Sequence, residues 1–356
     1  MAVRNSATLN DVARIAGVSA ATVSRVLNRH PQIDDNTRSR VVSAIKEAGY
    51  DTAAIDRKVT AMAQAKAKQL KTYNFELLLC PLAEQKDMLT LEFFQEILNG
   101  IQSYFSHQTN VNLNICVWES DEDKYRRQND MTFRRLQQAD GVMITGNPNQ
   151  QLLKALLNAR INFLLLDNSP EDLMVNSIAM DNISGGIQAA RYLLDQGFKR
   201  IGYLSGPLRV TSWNGYRRGA MMETAGRVGW DNFISRTAAT TENTDFIKAI
   251  SEWLDSGTCP NALIVSHLDA AETVLRCLQE RGFSCPNDFS IITFFRNNKN
   301  PYPAWTHLEL APRQTGYNAA QRIMQIVTQP YNEDDQLHKI VIPMRFIEGA
   351  TVKKLS

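Results

Sequence analysis

The sequence predicts two fold classes in one chain: an all-α helix-turn-helix headpiece and, after a helical connector, an α/β body of parallel sheets in two lobes. Three observations carry this. The first 50 residues read as short amphipathic helices punctuated by Gly17, Pro31 and Gly49. Residues 51–74 are rich in Ala, Lys and Gln, which favour helix. From Phe75 onward short apolar runs alternate with helical patterns, as parallel sheets covered by helices require. At 356 residues the chain exceeds one typical core, so a small head and a larger body are expected. The boundaries fall at 1–50, 51–74 and 75–356.

The head is read from TLNDVARIAGVSAATVSRVLN, residues 8–28. Thr8 is placed to cap a first helix, with Asp11 three residues on favouring its positive end. Val12 and Ile15 share a face, and Ala13 is small where a second helix must approach. Gly17 stops the helix in a left-handed turn, and Ser19 caps the next one, whose buried face is Val23, Val26 and Leu27. Two short helices joined by a glycine turn form the unit whose second helix enters a major groove. Ser19, Ala20, Ala21, Thr22, Ser24 and Arg25 would then face DNA, with Thr8 and Leu9 at the start of the first helix. An ordinary helical hairpin in a globular core is the alternative, but a helix bearing Ser, Thr and Arg suits a groove better. After Pro31, Asp34 caps a third helix whose buried stripe is Val41, Val42, Ile45 and Ala48, ended by Gly49. Arg29, His30 and Thr37 are placed to touch phosphates.

Charge agrees with this division. The net charge is only +2, yet residues 1–72 hold twelve Lys or Arg against six Asp or Glu, leaving 27 basic and 31 acidic residues for the rest. A basic head on a mildly acidic body fits a polyanion at one end. The five cysteines are odd in number and without metal-knuckle spacing, so reduced thiols in a cytoplasmic protein are expected, with no metal and no cofactor. The N-terminal MAVRNSATLN lacks a secretion signal's apolar stretch, and no run approaches the roughly 20 residues of a membrane span. There is no GxSxG, GxxxxGK[ST] or HExxH motif, and His107, His267, His307 and His338 are isolated, so an enzyme is not expected.

The run VSAATVSRVLN, preceded by TLNDVARIAG and followed by a third helix ending EAGY, resembles the lactose-repressor (LacI/GalR) family of bacterial transcriptional regulators. The resemblance puts Asn28 and Thr37 where the family contacts the operator backbone. It also implies a hinge helix that carries a small residue and a leucine wedge into the minor groove. Here the chain departs, because Thr52 and Ala53 replace the family's proline-asparagine pair. Counting from Tyr50 puts Asp56 at the small position and Val59 at the wedge, and a carboxylate there would be repelled by the phosphates. A hinge at residues 67–70 puts Leu70 at the wedge beside Lys66, Lys68 and Lys71. The connector is then about nine to eleven residues longer, roughly three helical turns. Leu70 is the preferred wedge.

In the body, strands are expected at FELLLCP, NLNICVWE, GVMITG, NFLLLDN, RIGYLSG, NALIVS and FSIITFF, with a last one at HKIVIPMRFIE. The pattern resembles a type I periplasmic-binding-protein fold of two doubly wound lobes. Crossings between lobes are expected near 177–183, 305–315 and 328–340. Ligands in such sheets bind at the carboxyl ends of the strands. Those ends offer Cys80, Leu82, Asn147, Asp167, Asn168, Ser205, Trp213, His267, Leu268, Phe295 and Arg296, with Arg209 and Ser212 on the turn and helix after LSGP. Sugar-binding members carry an arginine three residues before a helix glycine, where this chain has Ser212 or Tyr216. The family's Asn-Asp pair corresponds to His267-Leu268, and its later aspartate to Phe295. Three missing hydroxyl partners imply an unusual effector, with Arg209 or Arg296 and stacking on Trp213, or a protein partner, or none.

The expected function is a homodimeric, sequence-specific regulator of transcription, most simply a repressor, that binds a pseudo-palindromic double-stranded operator. A small-molecule or protein effector would act in the interlobe cleft. The alternative is a ligand-binding protein or enzyme built on the body, with a vestigial head.

Overall fold

The computed structural model describes residues 7–27, 33–50, 71–82, 91–119, 122–170, 173–295, 304–329 and 337–354. The chain divides into two units, Met1–Lys71 and Thr72–Ser356.

The first unit holds α1 (Leu9–Ala16), α2 (Ala20–Leu27) and α3 (Asp35–Ala48). Local chemistry sets each end. Thr8 Oγ1 accepts from Asp11 N at 3.3 Å while Asp11 Oδ2 accepts from Thr8 N at 2.9 Å, a reciprocal capping box. Gly17 and Gly49 take left-handed backbones, φ 62° and 64°, that end α1 and α3. Ser19 Oγ accepts from Thr22 N at 3.1 Å, and Asp34 Oδ1 accepts from Thr37 N at 2.8 Å. Val12, Ala13, Ala16, Val23, Val26, Val41 and Ala44 form the core. Two expected core residues are outside it: Ile15 is 38% exposed and Val42 is 45% exposed. The small Ala16 and Ala44 lie inward instead, because three short helices meet too closely for a larger residue at every inward turn. Arg40 Nη2 on α3 donates to the Ala16 carbonyl at 2.6 Å, closing the C-terminal end of α1.

The second unit contains two six-stranded sheets. The first has β1 (Tyr73–Cys80), β2 (Val111–Val117), β3 (Gly141–Gly146), β4 (Phe163–Leu166), β5 (Ser177–Met180) and β11 (Lys339–Ile342), in the order β11-β5-β4-β3-β1-β2, all parallel. Its helices are α4 (Glu92–Phe105), α5 (Glu122–Gln138), α6 (Gln150–Asn158) and α11 (Pro312–Thr328). The second sheet has β6 (Ile201–Ser205), β7 (Phe233–Thr237), β8 (Ala262–Val265), β9 (Ser290–Phe295), β10 (Thr306–Glu309) and β12 (Arg345–Ile347), in the order β12-β10-β9-β8-β6-β7. Only β12 runs antiparallel to its neighbour. Its helices are α7 (Asn182–Asp195), α8 (Thr211–Val228), α9 (Asn243–Asp255) and α10 (Leu268–Glu280).

The chain passes between sheets at Asp181, at Leu310–Ala311 and at Pro343–Met344. The third passage corrects the expected one near 328–340, and HKIVIPMRFIE is two strands in two sheets rather than one. Pro343 has no N–H to continue the ladder, so β11 ends on β5 and the chain restarts as β12 on β10. Each lobe also joins two helices backbone to backbone. A Cβ on Gly219 of α8 would strike the Ile183 carbonyl of α7, and one on Gly100 of α4 would strike the Arg313 carbonyl of α11.

Candidate DNA interface and interlobe cleft

On the head, Ala21 and Arg25 are exposed on the side of α2 opposite the buried Val23 and Val26, and Ser19 is exposed at the cap before it. Thr22 is half-buried and its hydroxyl lies 2.9 Å from Ser19 Oγ, so these two side chains form one fixed polar unit at the start of the helix. Ser24 is half-buried. Arg25 joins no ion pair among the described residues, which leaves its planar guanidinium available for a bidentate contact. Thr8 is exposed, while Leu9 and Ala20 pack partly on the head's core and present only a remainder of their surface. Thr37 is half-buried with its N–H held by Asp34. Asn28, Arg29, His30, Val59 and Leu70 lie outside the described residues.

The two sheets each change strand direction of travel at one point, between β1 and β3 and between β6 and β8. A crevice opens at the carboxyl end of such a point. At the first, Asn147 N donates to the Cys80 carbonyl at 2.7 Å. Cys80 and Leu82 are buried there, and burial drives the Cys80 thiol far above its usual range. At the second, Ser266 N donates to Leu204 O at 3.0 Å. Beside it, the Trp213 and His267 rings stack with centroids 5.2 Å apart and planes 9° apart, and Phe246 meets His267 edge-on at 5.3 Å. Gly206 is required under this stack, since a Cβ there would come within 2.5 Å of the indole. Tyr203 Oη donates to the Trp213 carbonyl at 2.7 Å and fixes the turn that carries it. His267 shares a 3.0 Å hydrogen bond with Ser266 Oγ, and burial lowers its ring to about 4, so it is neutral at physiological pH.

The lobes meet at Asn168. Asn168 Nδ2 donates to the Gly146 carbonyl at 3.2 Å, and Thr211 Oγ1 of α8 donates to Asn168 Oδ1 at 3.4 Å. Asp167 follows β4 in a left-handed backbone, φ 53°, held by its N–H on the Ile178 carbonyl at 2.8 Å. Its Oδ1 is shut from water with no hydrogen-bond partner among the described residues, and burial lifts the carboxyl to about 7. Left-handed backbone at a non-glycine residue stores strain that the surrounding structure must hold.

Other expected cleft residues are placed differently. Phe295 is 7% exposed and turned into the second lobe's core, with its ring 4.1 Å from that of His307. Alternation along β9 gives one face to Phe294, stacked on Tyr216 at 3.7 Å, and the other to Phe295. Ser205 is fully buried and its hydroxyl donates to Gly206 O at 2.9 Å, so it is closed to a ligand. Arg209 is exposed, and Ser212 is half-buried in the first turn of α8. Leu268 packs on the core, and Arg296 lies outside the described residues. Conversely, Phe93 at the start of α4 packs against the cores of both lobes, and the sequence signalled it only as the aromatic pair in LEFF. Of the expected isolated histidines, His107 and His338 are exposed and His307 is buried with Nδ1 on the Trp305 carbonyl. Among the described residues no cluster of His, Cys, Asp and Glu could hold a metal, and no helix is long and apolar enough to cross a membrane.

Comparison with known proteins agrees with both units. Residues 8–53 match the family described as bacterial regulatory proteins, lacI family, and residues 190–352 match a periplasmic binding protein-like domain. The HTH-type transcriptional repressor PurR of Vibrio campbellii (strain ATCC BAA-1116) is 27% identical over 98% of this chain and 100% of its own length. Catabolite control protein A of Priestia megaterium is 27% identical over 81% of this chain and 82% of its own. The Lac repressor bound to ONPG in the repressed state superposes with a TM-score of 0.67 at 20% identity, covering 98% of this chain and 100% of that one. The chain thus carries a lacI-family helix-turn-helix domain at residues 8–53 and a periplasmic binding protein-like domain at residues 190–352, in a body with the fold of the Lac repressor.

Proposed function

We propose that this protein is a sequence-specific transcriptional repressor that acts as a homodimer on a pseudo-palindromic operator, without enzymatic activity of its own. The observation that supports it most is the exposed Ser19–Arg25 side of α2, held open by caps and a glycine turn on a packed three-helix core. Arg25 is the candidate for a guanine contact that discriminates by about 1–3 kcal/mol. Thr8, Thr37 and the residues that follow α2 contact phosphates. Leu70 is the groove wedge at the end of the long connector. Cytoplasmic location follows from an operator as target. The two-lobed body senses an effector, since a ligand with unequal affinity for two lobe arrangements shifts their populations and so the head's affinity for DNA.

The test is selection of bound DNA from a random pool with the full-length protein at fixed ionic strength. One shared two-fold symmetric site is expected. Salt-sensitive binding with no common sequence would instead mean that the head only grips phosphate.

A further inference from the structure

We infer that the cleft takes a small organic cation, whose protonated amine pairs with the Asp167 carboxylate while its apolar part lies beside Trp213. The inference rests on the reading of the body as the effector-sensing part.

A buried charge is costly unless it is paired, and this molecule pairs one elsewhere. Glu76 on β1 is buried, and there Arg135 Nη2 lies 2.8 Å from its Oε2 and Asn114 Nδ2 donates to its Oε1 at 3.2 Å. Asp167 has no such arrangement. Its Oδ1 is unpartnered, and no Lys, Arg or His among the described residues pairs with it. Burial alone explains the carboxyl's rise to about 7; no neighbouring cation holds it down.

The surroundings select against the other ligand classes. A polyol needs several donors and acceptors in the cleft, yet Ser205 Oγ is bonded to Gly206 O and His267 Nδ1 to Ser266. By the resemblance, Ser212 or Tyr216 stands where sugar-binding members carry an arginine. What the second lobe offers is aromatic. Asn168 joins Thr211, the first residue of α8, and Tyr216 on the same helix feels the Asp167 charge. Trp213 lies between them in sequence, one helical turn before Tyr216. A carboxyl with no cationic partner among the described residues, at the junction with a helix that carries Trp213 and Tyr216, is the kind of donor set that recognises an ammonium group.

The test is calorimetric titration of the full-length protein with 2-phenylethylamine, cadaverine and choline, and with 2-phenylethanol as a neutral control, each at pH 8 and pH 6. At least one amine is expected to bind with Kd below about 1 mM and at least about tenfold more tightly than the alcohol. Its affinity falls about tenfold from pH 8 to pH 6, because a carboxyl near 7 must first ionise. Tyr216, which feels the Asp167 charge, stays protonated throughout that interval. Asp167→Asn abolishes amine binding; if that variant does not fold, the pH dependence of the unmodified protein decides. No heat from any amine, equal binding of the alcohol, or pH-independent amine binding overturns the inference. Selection of DNA by the same preparation separates the two readings. Intact operator recognition without amine binding defeats the cation alone, and amine binding without sequence-specific DNA recognition defeats the repressor reading alone.

Discussion

In the head, Thr8, Ser19 and Asp34 each place a side-chain oxygen on a helix N–H, and Arg25 and Ala21 stand in solvent. In the cleft, one oxygen of the Asp167 carboxyl is shut from water with no partner among the described residues, and His267 stacks on Trp213 and meets the Phe246 ring edge-on. The head thus holds its polar groups at low cost and presents a finished surface. The cleft stores unfavourable free energy that a ligand could relieve. A surface that reads a fixed polymer gains from rigidity, whereas a sensor must have something left to satisfy.

The largest expected effect breaks the cleft's side of this contrast. Gly219→Leu forces a side chain into the Ile183 carbonyl at the α7–α8 crossing. The body should lose about 3 kcal/mol or more of stability, seen as a lower urea midpoint. The crossing cannot yield locally, because the obstructing group is backbone.

A pair of pH profiles sharpens the comparison next. The Asp167 carboxyl lies at about 7 in the folded protein against 3.8 ordinarily, so the stability it contributes is full below about 4 and is lost as pH rises through 7. His267 lies at about 4 against 6.5, so its contribution is lost as pH falls through 4. The two oppose each other across pH 4–6.5. Urea midpoints should therefore show the native protein losing ground to Asp167→Asn as pH rises from 4 to 7. Against His267→Gln it should gain ground as pH rises from 4 to 6.5. Parallel profiles for all three proteins would mean that neither group is buried as described.

The smaller effect lies in the head. Gly17→Val places a β-branched residue at φ 62° with its Cβ 2.9 Å from Arg40 Nη2. About 1–2 kcal/mol of head stability should be lost, read as a lower melting midpoint of the head's helical signal. An unchanged midpoint would deny that the turn needs glycine.

How far the sequence reveals these features depends on the range of the interaction. The Thr8–Asp11 and Asp34–Thr37 caps span three residues, so spacing alone discloses them. The Arg40 bond to Ala16 O spans 24, and nothing local announces it. The apolar strands β1–β4, β6, β8 and β9 are legible even at four residues, as in FLLL and ALIV, but β5 (SIAM), β7 (FISRT) and β10 (THLE) are as short and mix in polar residues, so no apolar run announces them. Pro343 did carry a signal in the tail, since a proline within an apolar run marks a strand end. In the cleft, β9 is buried on both faces, and alternation in SIITFF does not say which phenylalanine faces which way. Asp167 was visible as a strand-end acid; its isolation and its backbone were not, because both arise from residues elsewhere in the chain.

The central claim is that α2 reads bases through Arg25. It is tested most directly by titrating the selected site, and every single-base variant of it, with the unmodified protein and with Arg25→Ala under one salt condition. The account predicts that Arg25→Ala loses about 1–3 kcal/mol of discrimination at one base pair in each half-site and keeps its preferences elsewhere. An unchanged discrimination profile, with affinity lowered equally for every sequence, would contradict it and reduce Arg25 to a phosphate contact.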